Sequence, residues 1–200
     1  MNDELKTNPE SRNCIVSEKL ELILSLIDNP KEAIEVIIVE KPVLLSFIIF
    51  IIATLSLVVS NLVSFNLGSH SLIFQLIFSI LFVLVFVVIT ACWFHFVAEL
   101  LKGDGNVITL YSLLNYSLLP LTILMPASII SKFVGIWFLY FSVIVALFWI
   151  DYLVVISLKM LYDISLSKVL VVMMSPLIVF TSLVFIILIL SIIGIISLLI

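Results

Sequence analysis

Asp151 and His95 are the ionisable side chains of greatest chemical interest in this chain, because both fall inside long apolar stretches. A charge within a lipid bilayer is costly, and a residue that carries one is a functional candidate. Asp151 precedes Lys159 by about two helical turns, and His95 lies a similar distance before the end of its own apolar stretch. A carboxylate near an imidazole can relay a proton or tie two helices together.

Further polar side chains fall at a similar distance from the ends of their apolar stretches. They are Asn115, Tyr116, Ser117, Ser175 and the neighbouring Pro176. At about 1.5 Å per helical residue, all these groups reach one depth. We therefore expect a polar layer in which Asp151 pairs with His95 or is reached by Lys102. Such a layer either holds the bundle together or lines a transport path, and the sequence leaves both readings open.

Metalloenzyme and aspartyl-protease chemistry both lack the residues that they require. His95 and Glu99 share a helix face, but two ligands are not a metal site, and the His-Glu-x-x-His pattern is absent. An intramembrane aspartyl protease would have to pair Asp104 with Asp151, and Leu101 stands where its Gly-x-Gly-Asp motif needs a glycine. We expect no metal, no cofactor and no enzymatic activity.

Two glycines and two prolines interrupt the apolar pattern around the third stretch. Gly103 and Gly105 follow no predicted strand and precede no Gly-Lys-Ser/Thr sequence, so a phosphate-binding loop is not expected. They suit a tight turn with positive φ and close contact between helix ends. Pro120 and Pro126 predict a break or kink in the next helix, whose freed carbonyl groups must find other partners.

Membrane-spanning helices are the elements that must position these residues. The chain is 64% hydrophobic and 11% charged, whereas soluble domains are about half apolar and a quarter charged. Residues 1–42 hold five basic and nine acidic residues, and the eight later charges cancel. The composition predicts a small acidic head at 1–42 and a membrane domain at 43–200. Nothing in it suggests a nucleic-acid partner.

Five apolar stretches are long enough to cross a bilayer as helices, which takes about 20 residues. Their approximate bounds are residues 43–64, 72–101, 107–131, 133–158 and 169–200. The turn between the third and fourth is marked by Ser131 and Lys132 alone, and the overlong fifth can bend at Pro176. We therefore predict an all-α polytopic bundle of five transmembrane helices.

Basic residues that flank the spans give their orientation. With the head in the cytosol, its five basic residues share that side with Lys102, Lys159 and Lys168, and Lys132 is left on the other. Eight against one predicts a cytosolic N-terminus and a C-terminus on the outer side. Trp137 then lies at the outer interface, where aromatic side chains concentrate.

The head carries the signals of two amphipathic helices. Ser17 is a suitable N-cap for the first, and residues 29–32 (Asn-Pro-Lys-Glu) supply a cap, a first-turn proline and a reciprocal glutamate for the second. The first helix bears one apolar stripe, formed by Leu20, Ile23, Leu24 and Ile27. Because the head is acidic, we expect it to pack on its own spans or on a partner rather than on anionic lipid.

The polar turn after the second span, with the helix that follows it, resembles a known family. The turn reads Lys102-Gly-Asp-Gly-Asn106, and the third span begins Leu110-Tyr-Ser-Leu-Leu-Asn-Tyr-Ser-Leu-Leu-Pro120. A glycine-rich turn that leads into a Tyr-Ser-Leu-x-Pro-like third helix is similar to the Yip domain family, the Ypt/Rab-interacting membrane proteins. The residues that carry the resemblance are Gly103, Gly105, Asn115, Tyr116 and Pro120.

The resemblance implies a five-span membrane protein without enzymatic activity. Eukaryotic members act in traffic between endoplasmic reticulum and Golgi, and some bind Rab-type GTPases through cytosolic heads. Their Asp-Leu-Tyr-Gly-Pro motif is replaced here by Ile37-Ile-Val-Glu-Lys-Pro42, which argues against GTPase binding. This departure and the short head resemble the prokaryotic branch, which implies a plasma-membrane location.

Two functions remain as hypotheses. In the first, the protein organises the bilayer or recruits partners, either other membrane proteins or further copies of itself, through the head stripe and the Lys102–Asn106 turn. In the second, it is a small transporter or channel that uses Asp151, His95 and Asn115. A water-accessible cleft that reaches Asp151 would favour the second hypothesis.

Overall fold

The computed structural model describes the backbone of residues 9–65 and 72–199 and the side chains of residues 19–64 and 73–182. This part of the chain contains helices and no strand, which confirms the predicted all-α bundle. The helices are α1 (Pro9–Asp28), α2 (Pro30–Glu40), α3 (Val43–Phe65), α4 (Leu72–Leu100), α5 (Val107–Ser117), a 3-10 helix (Leu119–Ile123), α6 (Leu124–Val134), α7 (Ile136–Tyr162) and α8 (Leu166–Leu199).

Four segments of the described chain are long and apolar enough to cross a membrane. They are Val43–Ser64, Ile73–Leu100, Val107–Val134 and Ile136–Tyr162. Of these, Val107–Val134 (α5, the 3-10 helix and α6) has the lowest mean hydropathy and the largest buried share, whereas Ile73–Leu100 has the smallest buried share. Helix α8 has 34 residues, but its side chains are described only to Ser182, so the fifth span stays a prediction.

The third and fourth spans meet at Gly135 rather than at the expected turn of Ser131 and Lys132. Both of those residues stay within α6, where the Ser131 hydroxyl donates to the Ser128 carbonyl at 2.7 Å. Gly135 takes φ +113° and ψ 157°, a conformation that is essentially restricted to glycine. The chain therefore turns where the backbone is free to do so, and the polar residues before it remain helical.

The head begins earlier than its cap signals indicate. Helix α1 starts at Pro9 and includes Ser17, so the prediction that Ser17 is its N-cap is wrong. Asn29 does precede α2, with Pro30 in the first turn. Its side chain does not accept from the backbone; its amide donates instead to the Glu32 carboxylate at 2.8 Å. The start of α2 is therefore held by a side-chain pair in place of a capping box.

The α1–α2 hairpin packs on the membrane domain, as the acidic composition led us to expect. Leu26 of α1 and Ala33, Ile34 and Ile37 of α2 are at most 1% exposed. They share one apolar core with Ile49, Leu113, Tyr116, Leu153 and Ile156. The end of the bundle that receives the hairpin is called the head side below. Helix α5 lies at the centre of this end, packed against α2, α3, α4 and α7.

Candidate functional site

The turn after α4 is shaped by a left-handed lysine. Lys102 has φ 63°, and its N–H donates to the Glu99 carbonyl at 2.9 Å. The N–H of Gly103 donates to the Ala98 carbonyl at 2.9 Å, which completes a Schellman cap. The expected positive φ at Gly103 and Gly105 is wrong, since among the described glycines the positive value belongs to Gly135.

The two glycines of the turn instead make room for Tyr162 at the end of α7. A Cβ atom on Gly105 would lie 2.6 Å from Tyr162 Cε1, and one on Gly103 would lie 2.9 Å from Tyr162 Cβ. Real Cβ atoms do not approach other atoms so closely. The expected close contact between helix ends is therefore present, and it requires glycine at both positions.

The Tyr162 hydroxyl leads into a chain of polar groups on α4. It lies 2.7 Å from His95 Nδ1, and His95 Nε2 lies 3.3 Å from Glu99 Oε1. A neutral imidazole with its proton on Nε2 satisfies both contacts, because Nδ1 then accepts from the tyrosine and Nε2–H donates to the carboxylate. The arrangement ties α4 to α7, and neither ring nitrogen is left free for a metal.

Asp151 takes no part in this chain. It is exposed on α7, whereas the ring nitrogens of His95 contact Tyr162 and Glu99. The predicted pairing of Asp151 with His95 or Lys102 is therefore wrong. His95 meets α7 at Tyr162, which is eleven residues, or about 16 Å, beyond Asp151 along the helix axis, so Asp151 is too far away to reach it.

Asn115 belongs to a separate group of buried polar side chains on α5 and α7, two helices that pack together. This polar row consists of Thr109, Ser112, Asn115 and Ser157, each at most 1% exposed. Five of its atoms, which include both amide atoms of Asn115, have no hydrogen-bond partner within the described protein. Most buried polar atoms in proteins are paired, so the row is an unusual feature of this bundle.

Sequence reasoning found one member of the polar row and missed three. The available signal was the spacing of Thr109, Ser112 and Asn115, which recur every three residues and so lie along one side of α5. Ser157 carries no comparable signal, because a single serine among apolar residues is common. The members of the predicted layer are thus separated: His95 belongs to the Tyr162–His95–Glu99 chain, Asn115 belongs to the polar row, and Asp151 belongs to neither.

Comparison with known proteins identifies the family to which this chain belongs. The family model of the Yip1 domain matches residues 24–188. The chain belongs to the Yip1 domain family. No curated protein and no solved structure shows a significant match. As a Yip1 domain the chain is an integral membrane protein, and the match includes both glycines of the turn, the polar row and Tyr162.

Tyr116 of the Yip1 domain connects the end of α5 to the beginning of the first span. Its side chain is 1% exposed, and its hydroxyl lies 3.4 Å from the Pro42 carbonyl. Val43 opens α3 directly after Pro42. The contact therefore places Tyr116 level with the start of α3, and α5 residues before Tyr116 extend past that level toward the Gly103 turn.

The α-helix of the third span is interrupted near its prolines, as predicted. Ser56 of α3 hydrogen-bonds to backbone groups that the interruption leaves unpaired. Pro126 lacks the N–H that would bond the Thr122 carbonyl. The Ser56 hydroxyl donates to that carbonyl at 3.0 Å and accepts from the Met125 N–H at 3.0 Å. One buried hydroxyl therefore serves both backbone groups, and the break is held shut by the neighbouring span.

Two further contacts join α8 to α4 in the Yip1 domain. The Trp93 indole donates to Ser175 Oγ at 2.8 Å, and Lys168 Nζ donates to the Leu101 carbonyl at 2.9 Å. Ser175, which the sequence placed in the polar layer, is thus a partner of Trp93. Lys168 meets a carbonyl at the end of α4, where the negative end of the helix dipole favours a cation.

The apolar stripe of the head is largely uncovered. Leu20, Leu24 and Ile27 are 56%, 52% and 53% exposed, and Ile23 is half-buried. On one side of the stripe, Ile23 and Ile27 border a cavity of about 520 Å³ between α1, the 3-10 helix and α7. The head hairpin thus has one face in the core and another that neither α2 nor the described spans cover.

Proposed function

We propose that this Yip1 domain protein is a non-enzymatic membrane protein that recruits protein partners at its head side, which faces the cytosol. The observation that carries the proposal is the exposed stripe. Leu20, Leu24 and Ile27 stand side by side on α1, and each is more than half exposed. Contiguous exposed apolar side chains on a protein surface commonly mark an interaction site.

Charge distribution supports the orientation and the type of partner. Lys102, Lys159 and Lys168 all lie near the head-side turns, and cytosolic flanks of membrane spans are enriched in such residues. The head itself holds nine acidic and five basic residues. Amphipathic helices that bind anionic lipid are basic on their polar face, so a protein with a basic surface suits this head better than an anionic membrane does.

The stripe is presented on a fixed support. Ile34 and Ile37 of α2 are at most 1% exposed in the core that they share with α5 and α7. Leu26 anchors α1 to the same core. Because the neighbouring face of α1 is packed in this core, the stripe does not have to fold at the moment of binding. A preorganised surface loses less conformational entropy when a partner docks.

The test compares partners of the full chain with those of a stripe variant. We expect the double change Leu20→Ser and Leu24→Ser to abolish cross-linking to partners in native membranes, including a second, differently tagged copy of the chain. Val39→Ser is the matched control, because Val39 is 79% exposed on α2 but lies outside the stripe. Recovery of the same partners by all three proteins would refute recruitment through the stripe.

Transport is a second candidate, and the polar row is the observation that favours it. Five buried polar atoms without protein partners could serve as the lining of a path in another conformation. The test is the reaction of Ser112→Cys and Ser157→Cys with a membrane-impermeant thiol reagent, in a chain whose own cysteines are replaced by serine. Under the recruitment proposal neither residue reacts, whereas modification at both positions would favour transport.

A further inference from the structure

We propose that a cavity between α1, α2 and the start of α3, here called the head pocket, binds a linear aliphatic polyamine. The pocket has a volume of about 390 Å³, and small-ligand sites in proteins have volumes of about 300–1,000 Å³. Leu20, Ile23, Leu24 and Ile27 of the stripe do not line it. The proposal is therefore independent of the partners that the stripe recruits.

The inner lining of the head pocket is apolar. Ala33 is 1% exposed, and Leu22, Val36 and Leu45 are half-buried. Ser25 also lines the pocket, but its hydroxyl already donates to the Leu22 carbonyl at 2.8 Å. Because polar groups lose hydration on such a surface without compensation, the part of a ligand that lies here must be hydrocarbon.

The rim of the head pocket is charged. Glu21, Glu32, Glu40 and Lys19 all line the pocket and are all exposed, so the pocket opens to water. Three carboxylates and one ammonium group give this rim a net charge of −2. Within the described part of the chain, Glu21 and Glu40 form no ion pair or hydrogen bond, and Glu32 accepts from the Asn29 amide. A negative rim beside an apolar surface is complementary to a cation that is carried on a hydrocarbon chain.

The carboxylates are spread along the pocket rather than gathered at one point. Glu32 and Glu40 lie eight residues apart, about 12 Å along the axis of α2, with Val36 midway between them on the same face. The described residues contain no group of three acidic, histidine or cysteine side chains that could hold a metal ion. The complementary ligand therefore has positive groups at separated points and hydrocarbon between them.

Spermidine has this pattern of charge. Its ammonium groups alternate with methylene segments, and the extended molecule is about 11 Å long at about 1.2 Å per bond. Its ends can therefore reach Glu32 and Glu40 while its methylene groups cover Val36. Its amines stay protonated near pH 7, as the lysine side chain does. One lysine or arginine side chain of a protein would bring a single charge and leave one of the two glutamates without a partner.

The experiment is isothermal titration calorimetry of spermidine into the purified full chain, in non-ionic detergent and about 0.1 M salt, which screens charges beyond about 10 Å. We expect Glu32→Gln and Glu40→Gln each to weaken binding about fivefold, the size expected for one exposed ion pair. Glu35→Gln is the matched control, because Glu35 is exposed on α2 but does not line the pocket. Absence of binding, or equal losses in all three variants, would overturn the proposal, since equal losses mean that spermidine responds only to the net charge of the head.

Two diamines of equal charge test the spacing of the glutamates. Diaminooctane is about 11 Å long and diaminopropane about 5 Å at the same length per bond, so the longer one alone can contact Glu32 and Glu40 together. We expect diaminooctane to bind about tenfold more tightly, because it gains a second ion pair and more hydrocarbon contact. Equal affinities would show that the separation of the carboxylates plays no part, and would contradict the binding mode.

The apolar surface and the rim lysine each have their own variant. Val36→Trp should fill the head pocket and weaken spermidine binding, whereas Val39→Trp should not, because Val39 is 79% exposed and lies outside the pocket. Lys19→Gln should strengthen binding about twofold, since it removes a like charge from the rim. Unchanged affinity in Val36→Trp, or weaker binding in Lys19→Gln, would contradict the proposal. If Val36→Trp does not fold, as its unfolding midpoint will show, the glutamate variants and the diamines still decide.

The titrations contain no protein partner, which separates this proposal from recruitment. A failure to bind spermidine would count against the head pocket and leave recruitment by Leu20 and Leu24 as it stands. A failed capture experiment with the stripe variant would likewise leave the polyamine result unaffected.

Discussion

The ring of Tyr162 occupies the space that a side chain on Gly105 would need, since a Cβ atom at that position would lie 2.6 Å from Tyr162 Cε1. This relationship joins the turn between α4 and α5 to the end of α7. It explains why a turn with a left-handed lysine nevertheless keeps two glycines. The turn packs around the Tyr162 ring, and the hydroxyl of that ring is hydrogen-bonded to His95 Nδ1.

Gly105→Ala should therefore destabilise the protein. Overpacking of a close contact typically costs about 1–3 kcal/mol, measurable as a lower midpoint of unfolding in mild detergent. Because the new methyl group meets the Tyr162 ring, Tyr162→Leu should relieve part of the cost, and the double variant should be less destabilised than the sum of the two single changes. Strict additivity would contradict a direct clash.

Tyr162→Phe should lower stability by about 1 kcal/mol, because it removes the hydroxyl that contacts His95 Nδ1 and leaves this half-buried ring nitrogen without its protein partner. Tyr152→Phe is the control, since Tyr152 is 45% exposed on the same helix. Thermal unfolding of both variants provides the comparison. An equal change in both would mean that the Tyr162–His95 contact contributes nothing specific.

Ser56→Ala should open the break in the third span. Both the Thr122 carbonyl and the Met125 N–H lose their partner, and an unsatisfied buried backbone group costs about 1–3 kcal/mol. Limited proteolysis and the unfolding midpoint are the measurements. Ser64→Ala in α3 removes a hydroxyl that donates to the Ser60 carbonyl of its own helix, so we expect a much smaller effect. Equal losses would show that Ser56 does not bridge the break.

Asn115→Leu should leave stability unchanged or raise it. Both amide atoms of Asn115 are buried without a partner in the described protein, and an apolar residue of similar volume avoids their desolvation. A fall of the unfolding midpoint by several degrees would show that the amide is paired through water and that the polar row is hydrated. Ser112→Ala, at a hydroxyl of the same row, should follow the same direction.

Asp151→Asn should not change thermal stability, because Asp151 is exposed and forms none of the described ion pairs or hydrogen bonds. The informative comparison is His95→Ala, which breaks the contacts with Tyr162 and Glu99 and should destabilise. A large effect of Asp151→Asn on folding would instead reveal a partner for this carboxylate, such as a cation on a second copy of the chain.

Hydropathy and helix signals predicted the elements of the fold well, because both are local. The apolar run that begins after Pro42 became α3 almost to the residue, and Pro120 and Pro126 marked the break. Ser131 and Lys132 predict the turn too early, because polar residues can remain helical whereas the positive φ of the turn requires Gly135. Ser17 resembles an N-cap because the part of α1 upstream of it carries no periodic apolar residues.

Partners of the polar side chains could not be predicted in the same way. Helix α4 is apolar on every side, so nothing in its sequence shows which face of it meets α7 and hence where His95 points. The predicted common depth of His95 and Asp151 was wrong, because His95 is level with Tyr162, about 16 Å along α7 from Asp151. The role of Tyr162 was missed because an aromatic residue near a span end is also typical of an interface anchor.

The weak hydropathy of the third span has a consequence for biogenesis. Of the four described spans it is the least apolar and the most buried, and its broken backbone depends on the hydroxyl of Ser56 in α3. A segment of this kind partitions poorly into lipid when it stands alone. Because α3 and α4 precede the third span in the chain, they are synthesised first and can provide its packing partners when it enters the bilayer. We therefore expect membrane integration to be cooperative along the chain, because the third span gains its packing and hydrogen-bond partners only from helices that are inserted before it.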